Sequence, residues 1–453
     1  MVKRTLLLGS ALVLLMAAGQ ALGQFISRDP GVRGEPAGAG GMLEGLSEAQ
    51  QKVFEAGRED FQEEDTLDSG LGPRFNLDSC AGCHQQPAIG GTSPRINPQV
   101  AIATAHGARN VVPAFVTRDG PVREARYKFK PDGSRDGGVQ ALFVISGRND
   151  TTADASDCAI RQPDFARELS RNNVIFRIPT PVFGLGLIEA IPDSAIVASL
   201  QATTSQRSAL GIGGRPHFIL PTGSPNRNGN DGTIARLGWK AQNKSALLFA
   251  GEAYNVEQGI TNELFPTERD ETPGCQLASV PNDTTNMEGL TAADVLNGIQ
   301  KFAFFMKFLA PPAPAPPTAS TQRGRALFVS VGCALCHTPA LRTGPADIPA
   351  LSEQPVNLYS DLSLHAMGPG LADDILQGAA GGDEFRTAPL WGLGQRIFFL
   401  HDGRTSDLKE AIAAHRSAAS SRWPASEGNQ VIYRYQGLGE SQKQDLLNFL
   451  RSL

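Results

Sequence analysis

The chain has 453 residues, 19% of them charged, and a formal net charge of −5 at pH 7, and this length suits two or three domains. It has no basic tract and no face that mixes Lys or Arg with aromatic residues, which argues against binding to nucleic acid or to an anionic membrane surface. Its 49 glycines and 31 prolines, with moderate charge, favour loop-rich packing around cofactors over disorder.

The first 23 residues have the pattern of a secretory signal peptide. Lys3 and Arg4 give a positive start, an apolar run covers residues 6–18, and small residues precede a cleavage site near Gly23. The apolar run is shorter than the ~20 residues that a membrane-spanning helix needs, and no later stretch is long and apolar enough. We therefore expect a periplasmic protein without stable membrane insertion, with a flexible glycine-rich lead over residues 24–43.

The pentapeptide pattern C-x-x-C-H occurs twice in the chain. Two cysteines at this spacing can add across the vinyl groups of a porphyrin, and the adjacent histidine then supplies the proximal nitrogen to the iron. A zinc ribbon would need further Cys or His ligands nearby, and neither copy has a second C-x-x-C. The pattern predicts two covalently bound c-type haems. Their attachment and proximal residues are Cys80, Cys83 and His84, and Cys333, Cys336 and His337.

Two cysteines remain once the haem motifs are counted, Cys158 and Cys275. An even remainder in an oxidising compartment predicts a disulfide that ties two segments of the middle region together. Two free thiols or a redox-active pair are the alternative. Sequence separation does not decide between them, because a disulfide needs its two Cα atoms within about 7 Å.

The surroundings of the two motifs repeat as well. Ser47 can cap a helix that carries Gly57 and Phe61 ahead of the first motif, and Gly324 and Phe328 stand ahead of the second. A glycine here permits a helix to approach a haem edge closely. Two further pairs of segments correspond, a Phe-Arg to Gly-Leu-Gly stretch and a closing amphipathic helix, at residues 176–186 and 385–394, and at 290–309 and 438–453.

A proline-rich run at residues 311–317 cannot be helical and is typical of an extended, semi-rigid linker. We therefore predict two cytochrome c-like domains, residues 44–310 and 320–453, joined by a linker at 311–319. The first is enlarged by an insertion, roughly residues 90–175 and 200–285. Within it, residues 111–115, 127–129 and 141–145 have the pattern of short strands. The predicted fold class is mostly α with minor β structure.

With these features the chain resembles the di-haem oxidoreductases of the bacterial cytochrome c peroxidase and MauG superfamily, and within it the branch labelled thiol oxidoreductase. The resemblance spans nearly all of the mature chain. It implies that one haem is six-coordinate and stores or relays an electron, while the other opens a site for peroxide. The matching segments are GLGPRFNLDSCAGCHQQPAIGG, IPTPVFGLGLIEAIPD, GWKAQNKSALLFAGEAYNVEQGIT, SDLSLHAMGPGLADD and FRTAPLWGLGQRIFFLHDGRTSDLKEAIAAH.

For the second haem, the resemblance favours Met367 as the distal ligand opposite His337. Thioether ligation raises the potential of a haem iron, as an electron-storing site requires. His365, two residues earlier, is the competing ligand. Met306 lies on the apolar face of a helix and is expected to pack in the core.

For the first haem, the resemblance implies a tryptophan between the haems and a glutamate over the reactive iron. Trp239 and Glu257 occupy plausible equivalents, with Glu189 as the second candidate for the glutamate. A glutamate there could take the proton from incoming hydrogen peroxide and return it to the leaving oxygen. The peroxidases have W-D-G-R where this chain has W-K-A-Q from Trp239, so a buried packing role for the tryptophan stays open.

Two histidines are further candidates for closing the first haem in a resting state, His106 and His217. A lone histidine is more often simply hydrogen bonded, so both rank low. The resemblance also brings a possible calcium ion near the domain interface, and the oxygen-rich residues Asn230, Asp231 and Asn282-Asp283 are of the right type. Oxygen-rich loops are common, so no calcium ligands are assigned.

The resulting hypothesis is a periplasmic di-haem oxidoreductase that reduces hydrogen peroxide at the first haem. Electrons would enter singly at the second haem from a small periplasmic donor such as a cytochrome c or a cupredoxin. One alternative is a plain electron carrier in which both irons are six-coordinate. Another is MauG-like oxidation of a protein or organic substrate, which the sequence does not separate from peroxidase action.

Overall fold

The computed structural model describes residues 25–34, 38–150, 152–218 and 233–453. The predicted signal peptide, residues 1–23, lies outside these ranges. Within them, no helix is both long enough and apolar enough to cross a membrane.

Helices of up to 15 residues form most of the regular structure, with short 3₁₀ turns between them. They are Glu48–Gln62 (α1), Cys80–Cys83 (α2), Gln99–Ile102 (α3), Phe165–Ser170 (α4), Leu185–Glu189 (α5), Asp193–Ala202 (α6), Thr204–Ala209 (α7), Ala246–Gln258 (α8), Ala292–Val295 (α9), Gly298–Phe308 (α10), Ala319–Val331 (α11), Leu408–Ala413 (α12), Asn429–Gln436 (α13) and Glu440–Ser452 (α14).

The strands are short and all of them pair antiparallel. They are Arg74–Phe75 (β1), Glu124–Tyr127 (β2), Val139–Gln140 (β3), Phe143–Val144 (β4), Asn149–Asp150 (β5), Ala153–Asp154 (β6), Val174–Arg177 (β7), His217–Phe218 (β8), Ile234–Ala235 (β9), Leu341–Arg342 (β10), Pro355–Val356 (β11), Leu364–Ala366 (β12) and Glu384–Arg386 (β13). The order β3–β2–β7 makes a three-stranded sheet, and the other pairs are β1–β4, β5–β6, β8–β9, β10–β11 and β12–β13.

Helices α1 and α10 cross at a glycine. Ser47 caps α1 through a reciprocal hydrogen bond with Gln50, as predicted. The buried Gly57 lies so close to α10 that a Cβ atom would collide with the carbonyl oxygen of Lys301. Phe61, one turn on, packs against Phe305 with ring centroids 4.9 Å apart. The absence of a side chain at Gly57 therefore sets the distance between the two helices.

The same contact recurs in the C-terminal part of the chain, between α11 and α14. A Cβ atom on the buried Gly324 would collide with the carbonyl oxygen of Asp445 and would meet Phe449. Phe328, four residues after this glycine, packs against Phe449 with ring centroids 5.4 Å apart. Each of the two C-x-x-C-H motifs thus follows a helix held against a later helix at a glycine.

The two Gly-Leu-Gly turns also have matching environments. Gly184 and Gly392 each have positive φ, 64° and 72°, immediately before a short helical turn. Two residues on, Gly186 lies against the carbonyl oxygen of Lys307 in α10, and Gly394 lies against that of Arg451 in α14. A glycine is needed at both positions because any side chain would push the turn away from the helix.

The predicted helix over residues 290–309 is two helices, α9 and α10. Asn297 accepts a hydrogen bond from the backbone N–H of Gln300 and caps α10, so the chain turns before it re-enters the helical path. The predicted helix at residues 438–453 forms as α14, Glu440–Ser452.

The strand predictions in the insertion are partly wrong. Residues 111–115 form no strand, and of residues 127–129 only Tyr127 lies in one, at the end of β2. Residues 141–145 contain β4, which pairs with β1 just ahead of the first haem motif. Short apolar runs cannot by themselves specify strand pairing, because the partner strand is distant in sequence.

The predicted flexible lead, residues 24–43, makes defined polar contacts near its start. The backbone N–H of Ser27 donates to Glu440, and Asp29 pairs with Arg451 at 2.6 Å. The backbone N–H of Arg33 donates to the carbonyl of Gly394 at 2.6 Å. Glycine content suggested mobility, but these polar contacts hold the segment on α14 and on the turn at Gly394.

The proline-rich segment is non-helical, as predicted, and it is anchored by hydrogen bonds. Ala313 donates its backbone N–H to Gly38, and Ala315 donates to Ser452 near the end of α14. Thr318 then caps α11. The segment therefore runs along the protein surface from α10 to α11 with defined contacts.

Cys158 and Cys275 form a disulfide, as predicted, with Cα atoms 4.7 Å apart. The bond joins segments separated by 117 residues and is buried in an apolar cluster with Phe75, Phe143 and Phe165. The cluster also includes Leu77 and contacts Cys83, so it packs against the first C-x-x-C-H motif.

We expect Gly57→Ala to destabilise the protein by about 1–3 kcal/mol, because the added methyl group forces α1 away from α10. Chemical denaturation of the variant and of the wild type measures the difference. Gly41→Ala is the matched control, because a Cβ atom there meets nothing within 4 Å. Equal stability of Gly57→Ala and Gly41→Ala would show that the contact with Lys301 does not limit the helix spacing.

Replacing both Cys158 and Cys275 by Ser should lower the free energy of unfolding by about 2–5 kcal/mol, since the bond closes a long loop. The thermal midpoint of the double variant, compared with wild type under non-reducing conditions, tests this. An unchanged midpoint would mean that the buried cluster around the bond holds the two segments together without it.

Candidate functional site

The first C-x-x-C-H motif lines a large cavity, here called the first cavity. Ser79 caps the short helix α2 by accepting a hydrogen bond from the N–H of Gly82, and the backbone N–H of His84 donates to Cys80. This single turn brings Cys80, Cys83 and His84 to one wall. The atom-free space of this cavity and its mouth is about 1200 Å³.

His84 is oriented by the backbone. Its Nδ1 lies 2.9 Å from the carbonyl oxygen of Gly91, and Phe61 of α1 contacts the ring edge-on at 6.0 Å. Because a carbonyl can only accept, Nδ1 carries the hydrogen and Nε2 keeps its lone pair. Burial also lowers the pKa of His84, which keeps the ring neutral. A neutral imidazole with a free Nε2 is the form that binds a metal.

The second motif builds the same arrangement in a second cavity, whose atom-free space including its mouth is about 1340 Å³. Nδ1 of His337 lies 3.1 Å from the carbonyl oxygen of Tyr359, and Phe328 packs on the ring at 6.4 Å. Burial and the neighbouring His415 ring lower the pKa of His337 to about 4. The cysteines of both motifs carry no disulfide, so all four sulfurs are available for another bond.

Buried arginines add positive charge where the two cavities approach each other. Arg386 and Arg396 line the second cavity, and burial lowers the pKa of each to about 10. Arg396 has no ion pair within the described residues, so its charge lacks a carboxylate partner. A haem carries two propionate carboxylates, which would supply that missing negative charge. The cavities, free thiols, neutral histidines and buried arginines therefore fit haem.

The first cavity carries a pair of carboxyl groups that share a hydrogen bond, Glu124 and Glu257. Burial and the charge of Glu124 raise the pKa of Glu257. Burial alone would raise that of Glu124 too, but Arg126 beside it holds its pKa below the usual value. Asn76 donates to Glu257 at 2.7 Å. These opposite shifts favour the protonated form of Glu257 and the ionised form of Glu124.

Trp239 lines both cavities. Its indole N–H donates to the carbonyl of Ile178 at 2.8 Å, and its ring lies 6.4 Å from His401, which in turn stacks on Phe385 at 4.4 Å. The indole is therefore part of the wall between the two cavities. Lys240 takes the position of the aspartate in the W-D-G-R pattern. It is buried and pairs with Asp373 at 3.0 Å.

Glu189, the second candidate for a catalytic glutamate, does not line either cavity. It is half-buried near the start of α8, where its carboxylate accepts from the backbone N–H of Ala246 at 3.4 Å. The Gly-Leu-Gly turn next to it packs on α10, so the turn carries the side chain away from the first cavity.

Neither low-ranked histidine lines the first cavity. His106 is half exposed and lies 3.6 Å from Asp150. His217 is buried with both ring nitrogens committed, to the carbonyl of Lys240 and to the N–H of Ala379. Met367 and its competitor His365 both line the second cavity. The ring nitrogens of His365 contact Asp361 and Glu427 at 2.9 and 2.7 Å, so its ring is committed to carboxylates.

Sequence reasoning missed Glu124, Arg126 and His415. Glu124 and Arg126 are two residues apart on β2, so both side chains reach the first cavity while Ala125 is buried behind them. The alternation in Glu124–Tyr127 was a weak signal for this. His415 is the last residue of the fifth segment that carries the family resemblance, residues 385–415. Its position after an amphipathic turn was the available hint.

No group of three or more His, Cys, Asp or Glu side chains suited to a free metal ion occurs among the described residues. Asn230 and Asp231 lie outside those residues. Asp283 accepts from the backbone N–H groups of Gly298 and Ile299 at the start of α10, so each of its carboxylate oxygens already has a hydrogen-bond donor.

Comparison with solved structures gives distant similarities. They include a MauG-like protein associated with microbial copper homeostasis (19% identity, 37% of this chain and 55% of that one, TM-score 0.26). They also include the diheme peroxidase BthA from Burkholderia thailandensis E264 (17%, 48% and 65%, TM-score 0.30). Hydrazine synthase from Kuenenia stuttgartiensis matches over 94% of this chain and 97% of that chain at 12% identity, with a TM-score of 0.35.

No curated protein matches the chain. A family model described as "Di-haem oxidoreductase, putative peroxidase" matches residues 128–453, which is well over half of the chain. That range includes the second haem motif, Trp239, Glu257 and the Gly-Leu-Gly turns. The chain therefore belongs to the di-haem oxidoreductase family.

Proposed function

We propose that this protein reduces hydrogen peroxide at the first cavity with electrons relayed through the second. The observation that carries the proposal is that the two cavities, which share Trp239 in their walls, are lined by different ionisable side chains. The first cavity is lined by the two carboxyl groups of Glu124 and Glu257. The second cavity is lined by three histidines besides that of its motif, namely His365, His401 and His415. A relay site and a reaction site need different surroundings, because only the reaction site must handle protons.

Each cavity would hold a c-type haem through its own motif, by thioether bonds from Cys80 and Cys83 and from Cys333 and Cys336. His84 and His337 would be the proximal ligands, each aligned by its backbone carbonyl. When bound, the haems supply the iron centres and the one-electron steps of the reaction. The expected export to the periplasm agrees with the disulfide between Cys158 and Cys275.

The two cytochrome c-like domains, residues 44–310 and 320–453, are part of the same proposal. The matched glycine contacts support it, since Gly57 and Gly324 lie against equivalent places on α10 and α14. So do Gly186 and Gly394. Such repeated close approaches favour one helical framework used twice, with residues 311–319 as the connection.

The carboxyl pair would manage the protons. Reduction of hydrogen peroxide to two waters consumes two electrons and two protons. The ionised member, Glu124, can accept the proton that peroxide loses on binding, and the protonated member, Glu257, can donate to the leaving oxygen. Arg126 keeps Glu124 ionised, and Asn76 fixes the carboxyl of Glu257 for donation.

Trp239 would carry electrons between the cavities. Its indole lies in the wall that both share, and the rings of His401 and Phe385 extend the aromatic contact on the side of the second cavity. Its N–H is held by Ile178, so the ring has one fixed orientation. The electron donor would be a small periplasmic cytochrome c or cupredoxin that docks near the second cavity.

The alternative of a plain electron carrier needs a second ligand in the first cavity. Among the described residues that line it, His84 is the only histidine and Met306 the only methionine. Met306 follows Phe305 just as Leu450 follows Phe449, and Leu450 lines the second cavity. The correspondence with a leucine favours a packing role for Met306, which leaves the first cavity open for a substrate.

The first test is peroxide-dependent oxidation of a reduced small cytochrome c by the purified protein with both haems attached. We expect Glu257→Gln to lower kcat by about 10²–10⁴-fold, because the amide cannot donate the proton. Glu268→Gln is the control, since burial also raises the pKa of Glu268 but it lies outside both cavities. No turnover by the wild type with any donor would end the peroxidase proposal.

The same variant pair gives a pH prediction. The protonated form of Glu257 is the active acid, and its pKa is raised, so wild-type kcat should fall only as pH rises through that raised value. Glu257→Gln should lose this alkaline limb, while Glu268→Gln should keep it. A limb that persists in Glu257→Gln would assign the titration to another group.

Trp239→Phe should slow electron transfer between the haems while both haems stay attached, because a smaller ring with no N–H bond leaves a gap in the wall. Stopped-flow spectra after one-electron reduction measure the transfer directly. Trp423→Phe is the control, since Trp423 bonds to Asp374 outside both cavities. An unchanged transfer rate in Trp239→Phe would leave the tryptophan with a packing role.

A further inference from the structure

The second cavity contains a second imidazole close to the one that the haem motif supplies. His415 follows helix α12, and its ring centroid lies 6.4 Å from that of His337, with the ring planes inclined by 57°. Both rings line the cavity together with Cys333 and Cys336. The sequence analysis gave His415 no role.

The two rings are held in the same way. Nδ1 of His415 lies 2.8 Å from the carbonyl oxygen of Ala411, one turn back in α12, and Nδ1 of His337 lies 3.1 Å from that of Tyr359. Each carbonyl fixes the hydrogen on Nδ1 and leaves a lone pair on Nε2. Neither Nε2 has a hydrogen-bond partner among the residues that the structure describes.

The spacing of the rings is that of two ligands on one metal. An imidazole nitrogen binds a metal at about 2 Å, and the ring centroid lies roughly 1 Å behind that nitrogen. Two imidazoles on opposite sides of one iron therefore have centroids about 6 Å apart. The observed 6.4 Å matches this value, and both residues line the same cavity.

The competing side chains of this cavity are less suited to the iron. His365 has both ring nitrogens against carboxylates, Asp361 and Glu427. Met367 lines the cavity too, but it packs with the apolar cluster that contains Trp239 and Phe385. A sixth ligand would lie across the haem from His337, and the 6.4 Å between the ring centroids of His415 and His337 agrees with that placement.

His401 also lines the cavity, but its ring is used differently. It stacks face to face on Phe385 at 4.4 Å and contacts the edge of Trp239 at 6.4 Å. These contacts put it in the wall between the cavities, where it extends the proposed electron-transfer path through Trp239.

We propose that His415, and not Met367, is the sixth ligand of the haem at the second cavity, so that this haem has two histidine ligands. The inference rests on the proposed function only in requiring a haem bound through Cys333 and Cys336. Methionine ligation raises the potential of a haem, so two histidines set it lower than the predicted His–Met pair would. The relay site then delivers its electron more readily to the first cavity.

The test is near-infrared magnetic circular dichroism and EPR of the purified ferric protein with both haems attached, with Met367→Leu as the matched variant. We expect a low-spin bis-histidine spectrum without a sulfur-to-iron charge-transfer band, unchanged in Met367→Leu. His415→Ala should convert one low-spin haem to high spin with the haem content unchanged, and added imidazole should restore the low-spin signal.

A sulfur-to-iron band in the wild type that Met367→Leu abolishes would overturn the inference, and so would a high-spin second haem in the wild type. If His415→Ala does not fold, the wild-type and Met367→Leu spectra still decide. A haem assay separates the two proposals. A chain without haem on Cys333 and Cys336 would overturn both, whereas two haems with the bis-histidine spectrum but no peroxide turnover would overturn the peroxidase function alone.

Discussion

The site depends on the hydrogen bond between each motif histidine and one backbone carbonyl. Gly91 holds Nδ1 of His84, and Tyr359 holds Nδ1 of His337. Each bond fixes the tautomer and the rotation of the ring, so that Nε2 faces the cavity. Both carbonyls belong to loops that follow the motif, so the orientation of the ring depends on how the loop folds back on the helix.

The helical framework keeps these loops in place. Gly57 and Gly324 let α1 and α11 approach α10 and α14 at backbone distance, and Phe61 and Phe328 then reach the motif histidines. Buried aromatic rings at such a crossing contribute both apolar area and a fixed geometry. Matching contacts therefore surround the two motif histidines.

The two cavities differ on their other walls, and those walls come from residues between the two motifs and from their contacts with residues after the second motif. Strand β2 brings Glu124 and Arg126 to the first cavity, while Arg177 of β7 pairs with Asp373 at 2.7 Å and Lys240 pairs with the same carboxylate. A buried ionic group of this kind contributes little net stability, but it fixes how the segments meet. It lies beside Trp239, so it also fixes the wall between the cavities.

The sequence by itself determined the two C-x-x-C-H motifs, the glycine and aromatic positions ahead of them and the even remainder of two cysteines, because these depend on residue type and local spacing. Only the tertiary structure decided that Glu124 faces Glu257, that Glu189 points elsewhere and that His415 lies 6.4 Å from His337. Each of these is a contact between segments far apart in the chain. Periodicity reports which face of an element is buried, but it does not report which distant side chain meets it.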